Sequence, residues 1–132
     1  MPITVSIKTT ARVHMVDITH LVRREVEKAG LKEGLCVVYV PHTTSGVTIN
    51  EGADPAVISD ILQKLKQLVP PHDGYRHAEG NSDSHIKASL MGSSVTVLVE
   101  GGRLVMGTWQ KIFYCEFDGP RSRKCFVKPI SC

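Results

Sequence analysis

The sequence has little of what marks several classes of protein. It contains one tryptophan, three tyrosines and three phenylalanines, and its formal net charge is only +3. With no nucleic-acid motif beside them, so few aromatic residues and so mild a charge argue against RNA or DNA binding. No apolar run approaches the length that crosses a bilayer, and the N-terminal I-T-V-S-I-K alternates instead of forming an apolar core. We therefore expect neither a membrane span nor a signal peptide.

The sequence also lacks any C-x-x-C pair, since its four cysteines are Cys36, Cys115, Cys125 and Cys132. We expect them to be reduced, mostly buried thiols of a cytoplasmic protein, and a disulfide becomes the alternative if the source is a hyperthermophile. A chain of 132 residues fits a single domain, 1–132. That length buries a core without help from disulfides or a structural metal.

The apolar pattern predicts several strands. Residues 3–8 alternate strictly, which is typical of a strand with one wet face, whereas residues 35–40 (L-C-V-V-Y-V) are apolar throughout. A continuous apolar run predicts a central strand that is covered on both faces. Further strands are expected at 12–16, as a hairpin partner or extension of the first strand, and at 47–50, 94–99, 103–106, 109–117 and 124–130.

Three helices are expected between these strands. The first begins at Asp17 or Thr19 and ends at Gly30, and the second begins at Asp54-Pro55 and ends before Pro70. A short third helix is expected at 84–91, after an irregular loop. Two or three helices among some eight strands predict an α+β fold built on antiparallel or mixed β-sheets.

The segment 76–85 (R-H-A-E-G-N-S-D-S-H) is the strongest candidate for a functional site, because it is rich in ligands and proton carriers and has almost nothing apolar to bury. His77 and His85 lack the spacing of an H-E-x-x-H helix, so a bend at Gly80 must bring them together. His42 follows the predicted central strand. If the three imidazoles meet, they offer three nitrogen ligands to a divalent metal and leave a fourth position open. Taken singly, each histidine is more often a surface or hydrogen-bonded residue.

A second polar group follows the strand at 47–50. Glu51 is the candidate general acid or base, because we expect it to return to the end of the sheet that carries His42. Asp54 is a helix cap by the simpler interpretation. The hydroxyls of Thr43 and Thr44 either form a turn or bind phosphate oxygens.

Two further groups lie near the C-terminus. Trp109 is expected to anchor a strand in the core, which would project Gln110 from the opposite face into a cleft as a candidate catalytic residue. Arg121 and Arg123 are two apart in an extended segment and could grip one anionic group, although such pairs are more often solvated strand charges.

Four motifs in the same order resemble the YjbQ family, also called UPF0047. They are P-H-T-T-S-G-V-T-I-N-E at 41–51, H-A-E-G-N-S-D-S-H at 77–85, G-T-W-Q-K-I at 107–112 and D-G-P-R-S-R at 118–123. The resemblance extends over nearly the whole chain, and the combination is specific to that family.

The resemblance implies a fold of packed, sandwich-like β-sheets with flanking helices, a homotrimer, and a polar pocket holding a metal ion. The family's histidines fall on His42, His77 and His85. Its other positions fall on Asn50, Glu51, Gly80, Asn81, 107–110 and 118–123. Ser84 is a small departure, since alanine is expected before the last histidine.

Some members of this family are described as secondary thiamine-phosphate synthases, which join a pyrimidine pyrophosphate to a thiazole phosphate and release pyrophosphate. The resemblance implies that Arg121 or Arg123 would stabilise the leaving group, with Asn50, Asn81 and the threonines binding substrate. Magnesium suits pyrophosphate chemistry, whereas three histidines favour zinc, so the metal identity stays open. The alternatives are a zinc-type hydrolase of a small phosphorylated molecule, and a protein that binds a metal or phosphorylated metabolite without turnover.

Overall fold

The computed structural model describes residues 2–132. Over this range there are eight strands and three helices, and the strands pair antiparallel in two sheets that form a curled half-barrel. The α+β fold expected from the sequence is confirmed. The strands are β1 Ile3–Lys8, β2 His14–Asp17, β3 Gly34–Tyr39, β4 Ser45–Glu51, β5 Ser94–Glu100, β6 Arg103–Leu104, β7 Gln110–Glu116 and β8 Ser122–Ser131.

The larger sheet has the strand order β1-β8-β3-β5-β6, and the smaller has the order β2-β7-β4. β3 lies in the middle of the larger sheet, as its apolar sequence predicts. Its burial alternates, however, with Cys36 and Val38 fully buried and Tyr39 exposed. The expectation that β3 is covered on both faces is therefore wrong for the single chain. The strand that is buried on both faces is β7, in which Ile112 to Glu116 are all buried.

The two faces of β7 contact different layers. One face shares the main core with the larger sheet and with helix α1 (Thr19–Ala29), and Ile112 and Tyr114 lie in that core. The other face carries Phe113 and Cys115 toward helices α2 (Pro55–Leu68) and α3 (Ser82–Met91). The smaller sheet is therefore the middle layer of the molecule.

One predicted pairing is wrong. The segment after β1 does not form its hairpin partner, because β2 pairs with β7 while β1 pairs with β8. Alternation reports which face of a strand is buried and says nothing about which strand lies beside it.

The helix ends follow the predicted local chemistry. Asp17 Oδ1 accepts from the Thr19 backbone N–H at 2.9 Å, and Gly30 ends α1 in the left-handed conformation with φ of 65°. Asp54 Oδ1 accepts from Ala56 N at 2.9 Å and caps α2. Three of the four cysteines are buried, and Cys132 is exposed. None of the helices in the described range combines the length and apolarity needed to span a membrane.

Candidate functional site

A cavity of about 560 Å³ lies between the β3–β4 loop and α3. His42 lines it from the loop and His85 lines it from the helix, so two of the predicted histidines share one space. We call it the histidine cavity. Its remaining lining is mostly hydroxyl-bearing or small: Thr43, Ser45, Ala88, Ser89, Gly92 and Ser93.

His77, the third predicted histidine, lies against His85. The ring centroids of His77 and His85 are 5.4 Å apart, and the rings are perpendicular. Two imidazoles on one tetrahedral zinc ion, with Zn–N distances near 2.1 Å, have centroids about 5 Å apart. The bend occurs where the sequence predicts it, because Gly80 has a φ of 75°, which favours glycine. The separation of these two rings thus fits joint ligation of one metal.

His42 is held by its neighbour on the larger sheet. Its Nε2 accepts from the Lys124 backbone N–H at 3.2 Å, so the neutral ring carries its proton on Nδ1. Burial, followed by the positive charge of Arg123, lowers the pKa of His42. The ring is therefore neutral at physiological pH, which is the form that ligates a metal or accepts a proton.

The expected three-imidazole centre is not assembled within one chain. Across residues 2–132, no three or more His, Cys, Asp or Glu side chains are grouped so that they could hold a metal ion. His77 and His85 fit as a pair, but a metal bound to His42 Nε2 would have to displace the contact with Lys124. The fold therefore brings His77 beside His85 and leaves His42 on the loop side of the cavity.

Glu51 does not return to the His42 end of the sheet, and that expectation is wrong within the single chain. Ser45 begins β4 beside the cavity and Glu51 ends it, roughly 20 Å away at the rise of an extended strand. Glu51 Oε2 accepts from Asp54 N at 3.3 Å, and Asn50 Oδ1 accepts from Glu51 N at 2.7 Å. Both side chains order the turn that leads into α2.

The Gly107–Gln110 turn also differs from expectation. Gln110 Oε1 accepts from Gly107 N at 2.8 Å, so the side chain closes the turn instead of entering a cleft. Trp109 is 62 % exposed, and the prediction of a core anchor is wrong. The reason is that Trp109 belongs to this turn and β7 starts one residue later. Gln110 pairs with Glu51 in the β4–β7 register, so the two predicted catalytic residues share the sheet end remote from the histidines.

The two arginines do not grip one group together. Arg123 is buried and donates through Nε to Glu116 Oε1 at 2.8 Å and through Nη2 to Thr44 Oγ1 at 2.8 Å. Arg121 is exposed and donates to Asp118 Oδ2 at 3.0 Å. Thr44 is buried by its contact with Arg123, whereas Thr43 is exposed and lines the histidine cavity. Thr43 is therefore the one predicted anion binder among Arg121, Arg123, Thr43 and Thr44 that lines the histidine cavity.

Asn81 holds the start of α3 in place. Its Nδ2 donates to Asp118 Oδ2 at 2.9 Å, and its backbone oxygen accepts from Ser84 N and His85 N. Its Oδ1 is buried and has no hydrogen-bond partner among residues 2–132. Asn81 thus positions His85 from the first turn of the helix.

Sequence reasoning missed part of the site. Ser89 and Ser93 line the cavity from α3 and the loop that follows it, and no motif distinguishes them. Glu116 had a visible signal, because it is a single carboxylate within the apolar run I-F-Y-C-E-F. In the structure it is buried, and it accepts from Thr9 Oγ1 at 2.7 Å as well as from Arg123. Because Arg123 also donates to Thr44, Glu116 supports the loop that carries His42.

The chain is a small α+β protein, an antiparallel half-barrel in which His42 and His85 line one cavity beside α3. A family model described as UPF0047 protein YjbQ-like matches residues 3–132, so the chain belongs to the YjbQ/UPF0047 family. The chain is 49 % identical to UPF0047 protein YugU of Bacillus subtilis over 95 % of its own length and 96 % of the relative. It is 47 % identical to a UPF0047 protein of Archaeoglobus fulgidus, over 95 % of this chain and 98 % of that one.

Solved structures of YjbQ-like proteins have the same fold as this chain. A YjbQ/UPF0047 family protein from Clostridium acetobutylicum is 53 % identical and superposes with a TM-score of 0.96, over 97 % of this chain and 99 % of the other. A protein from Sulfolobus solfataricus, described as YbjQ-like and of unknown function, is 34 % identical. Its TM-score is 0.95, over 100 % of this chain and 97 % of that one. The names of these relatives place the chain in a family and state no reaction.

Proposed function

We propose that this protein binds a small phosphorylated metabolite in the histidine cavity, with a divalent metal ion held by His77 and His85 and completed by His42. The observation that carries the proposal is the pair of rings at 5.4 Å, placed beside a cavity whose opposite wall is a neutral histidine. Imidazole donors favour zinc or a related transition metal over magnesium. Hydroxyls suit the phosphate oxygens, and Thr43, Ser89 and Ser93 supply them.

The reaction that the family resemblance implies is formation of thiamine phosphate with release of pyrophosphate. A metal would supply charge stabilisation for the departing pyrophosphate. In this chain, His42 would take a proton only at Nε2 and only after losing its contact with the Lys124 N–H, because Nδ1 already carries a proton. Glu51 and Gln110 lie at the other end of β4. Arg121 and Arg123 are already paired with the carboxylates of Asp118 and Glu116, which compensate their charges, so neither is assigned a contact with the pyrophosphate.

The second candidate function is binding without turnover, and one observation favours it. Glu51, the residue best suited to move protons, has its carboxylate engaged in the turn before α2 and lies remote from the cavity within the chain. If subunits assemble so that one chain's Glu51 reaches the cavity of another, catalysis regains its acid or base.

Metal binding is tested by zinc titration and by metal analysis of protein purified without added ions. We expect His85→Ala and His77→Ala to weaken zinc binding at least tenfold, since each removes one nitrogen donor. The matched control is His20→Ala, because His20 is exposed on α1 and remote from the cavity. Equal affinities in all three variants would overturn the metal site.

Turnover is tested with a pyrimidine pyrophosphate and a thiazole phosphate as substrates and pyrophosphate release as the readout. If assembly brings one chain's Glu51 to the cavity of another, Glu51→Gln abolishes release and leaves zinc content unchanged, whereas Glu27→Gln on the exposed face of α1 changes neither. If the wild-type protein binds inorganic phosphate but releases no pyrophosphate, the binding function stands and the synthase is excluded.

We further propose that the protein forms a homo-oligomer, and the family resemblance implies that it is a trimer. The outer face of the larger sheet supports it, because Leu35 pairs with Leu98 on one side and with Ile130 on the other. Tyr39 stacks on Phe126 further along the same sheet, with ring centroids 6.4 Å apart. Leu98, Ile130 and Tyr39 are all exposed. A row of apolar side chains on one sheet face is typical of a surface that a partner covers.

A further inference from the structure

A second cavity, of about 460 Å³, lies on the other side of α3, beneath α2. Its apolar walls include Val13, Leu62, Leu65 and Phe117, and three cations, Arg12, Lys66 and Lys87, line it as well. We call it the α2 cavity. Its volume falls in the range of ~300–1,000 Å³ that small-molecule sites occupy. The proposed metal and phosphate chemistry uses none of these residues.

The cationic wall is built around a buried carboxylate. Lys87 is 2 % exposed, and its Nζ donates to Asp83 Oδ2 at 3.1 Å. Arg12 donates to the same carboxylate through two nitrogens, at 3.1 and 3.2 Å. Asp83 is thus a buried carboxylate that forms ion pairs with both cations.

The charges at this wall do not cancel. One carboxylate faces two cations, and the neighbouring carboxylate of Asp118 is already paired with Arg121. The contact with Asp83 uses one of the three N–H groups of the Lys87 ammonium. A buried lysine is costly unless its charge is compensated, and Arg12 alone would satisfy Asp83. With Lys66 also lining the cavity, the cations outnumber the Asp83 carboxylate, and this excess of positive charge beside an apolar space is complementary to an anion.

The helix over the cavity is also incompletely packed. Its apolar side chains Ile58, Ile61, Leu62 and Leu65 are only partly buried against the core. An apolar body seated below α2 would cover part of that surface and gain the hydrophobic free energy that the present packing leaves unused.

We propose that the α2 cavity binds a small amphipathic anion. The apolar body lies against Leu62, Leu65 and Phe117, and a single carboxylate or phosphate head accepts hydrogen bonds from Arg12 and Lys87. This site is separate from the histidine cavity, because His85 and Ser89 lie on the side of α3 away from Asp83 and Lys87.

The first test compares head groups on one chain length by isothermal titration. Decanoate, decanol and decylamine are titrated into the full-length protein below their aggregation concentrations. We expect decanoate to bind one to one and at least tenfold more tightly than the other two, which is the effect of one or two charge-assisted hydrogen bonds. Equal affinities, or tighter binding of decylamine, would overturn the proposal.

The second test uses variants. Leu62→Trp fills the cavity and should remove decanoate binding, and Arg12→Gln should weaken it at least fivefold through loss of a cation at the head group. The matched control for Arg12 is Arg24→Gln, since Arg24 is exposed on α1 and far from the cavity. Thermal unfolding checks that each variant folds. If a variant does not fold, the comparison of decanoate, decanol and decylamine on the wild-type protein tests the proposal.

The two proposals fail separately. His85→Ala should leave decanoate affinity unchanged, and Leu62→Trp should leave zinc affinity unchanged. Decanoate binding that survives both Leu62→Trp and Arg12→Gln would place the ligand elsewhere and refute the α2 cavity as its site.

Discussion

Arg123 donates a 2.8 Å hydrogen bond through Nε to Glu116 Oε1, and both side chains are almost fully removed from solvent. The pair joins β8 to the end of β7, and Arg123 also donates to Thr44, two residues after His42. It therefore links the larger sheet, the smaller sheet and the loop that carries His42.

This pair should matter far more to stability than its neighbour two residues away. Arg123→Met leaves Glu116 as an unpaired buried charge, and we expect a loss of roughly 3–5 kcal/mol in the free energy of unfolding. The control is Arg121→Met. The Arg121 side chain is 54 % exposed, so its ion pair with Asp118 should contribute at most ~1 kcal/mol. Urea unfolding measures both, and similar losses would show that the inner pair has no special role.

Acid should release the same interaction. Burial opposes ionisation of Glu116, but hydrogen bonds from Arg123 and Thr9 outweigh it, and the pKa lies below the ordinary value of 4.5. Between the two pKa values the unfolded chain binds more protons than the native protein, so stability rises with pH there. The contribution of Glu116 is complete above about pH 4.5 and disappears as the pH falls through the lower, folded-state pKa.

Unfolding measured from pH 7 down to pH 2 checks this sign. Glu116→Gln should flatten the acid limb of the profile, whereas Glu100→Gln, an exposed residue on β5, should follow the wild type. An unchanged acid limb in Glu116→Gln would contradict the assignment.

The contact between β4 and α3 tolerates no side chain at Gly46. A Cβ built there lies 2.5 Å from the backbone oxygen of Gly92, the same oxygen that accepts from Val47 N at 3.1 Å. Gly46→Ala should push the end of α3 away and cost about 1–3 kcal/mol, as overpacking does. Since Gly92 lines the histidine cavity, phosphate or zinc affinity should fall as well.

Gly74→Asn is the control for that variant. An added Cβ at Gly74 meets no heavy atom within 4 Å, and asparagine tolerates its φ of 68°. Thermal unfolding should show a small shift for Gly74→Asn and a large one for Gly46→Ala, and the reverse order would refute the steric argument.

The proposed oligomer makes a distinct prediction. Leu98→Glu places a charge in the apolar row on the outer sheet face and should dissociate the assembly to monomers, because burying an unpaired carboxylate costs several kcal/mol. Leu68→Glu makes the same change at a similarly exposed leucine, 64 % against 58 %, at the end of α2. Sedimentation velocity should show dissociation only for Leu98→Glu, and dissociation by both or by neither would exclude the sheet face as the interface.

Much of the local structure could be read from the sequence. The apolar period identifies β1 and the central position of β3, and Asp54-Pro55 and Gly30 mark helix ends, since a capping carboxylate or a left-handed glycine acts on its immediate neighbours. The bend at Gly80 that brings His77 to His85 is also a local event. These features need no knowledge of the distant chain.

The errors concern the contacts that side chains make once the chain is folded, and the apolar pattern does not report those contacts. Trp109 is expected in the core because the predicted strand 109–117 begins with it, but a Gln110–Gly107 hydrogen bond keeps it on an exposed turn. Glu51 was placed with His42, but β4 is fully extended and separates them. Arg123 is expected from the sequence to bind a ligand, but Glu116 at the end of β7 already neutralises it.

By itself, the sequence determined the elements, their caps, the family and the set of histidines that could serve as ligands, because each of these depends on residue type and short-range spacing. The tertiary structure alone decided which strands are neighbours, which charges are buried in pairs, and that α3 separates a histidine cavity from an apolar one. Those outcomes depend on how two sheets and three helices share their buried faces. Since many pairings satisfy the same apolar pattern, only the packed chain distinguishes among them.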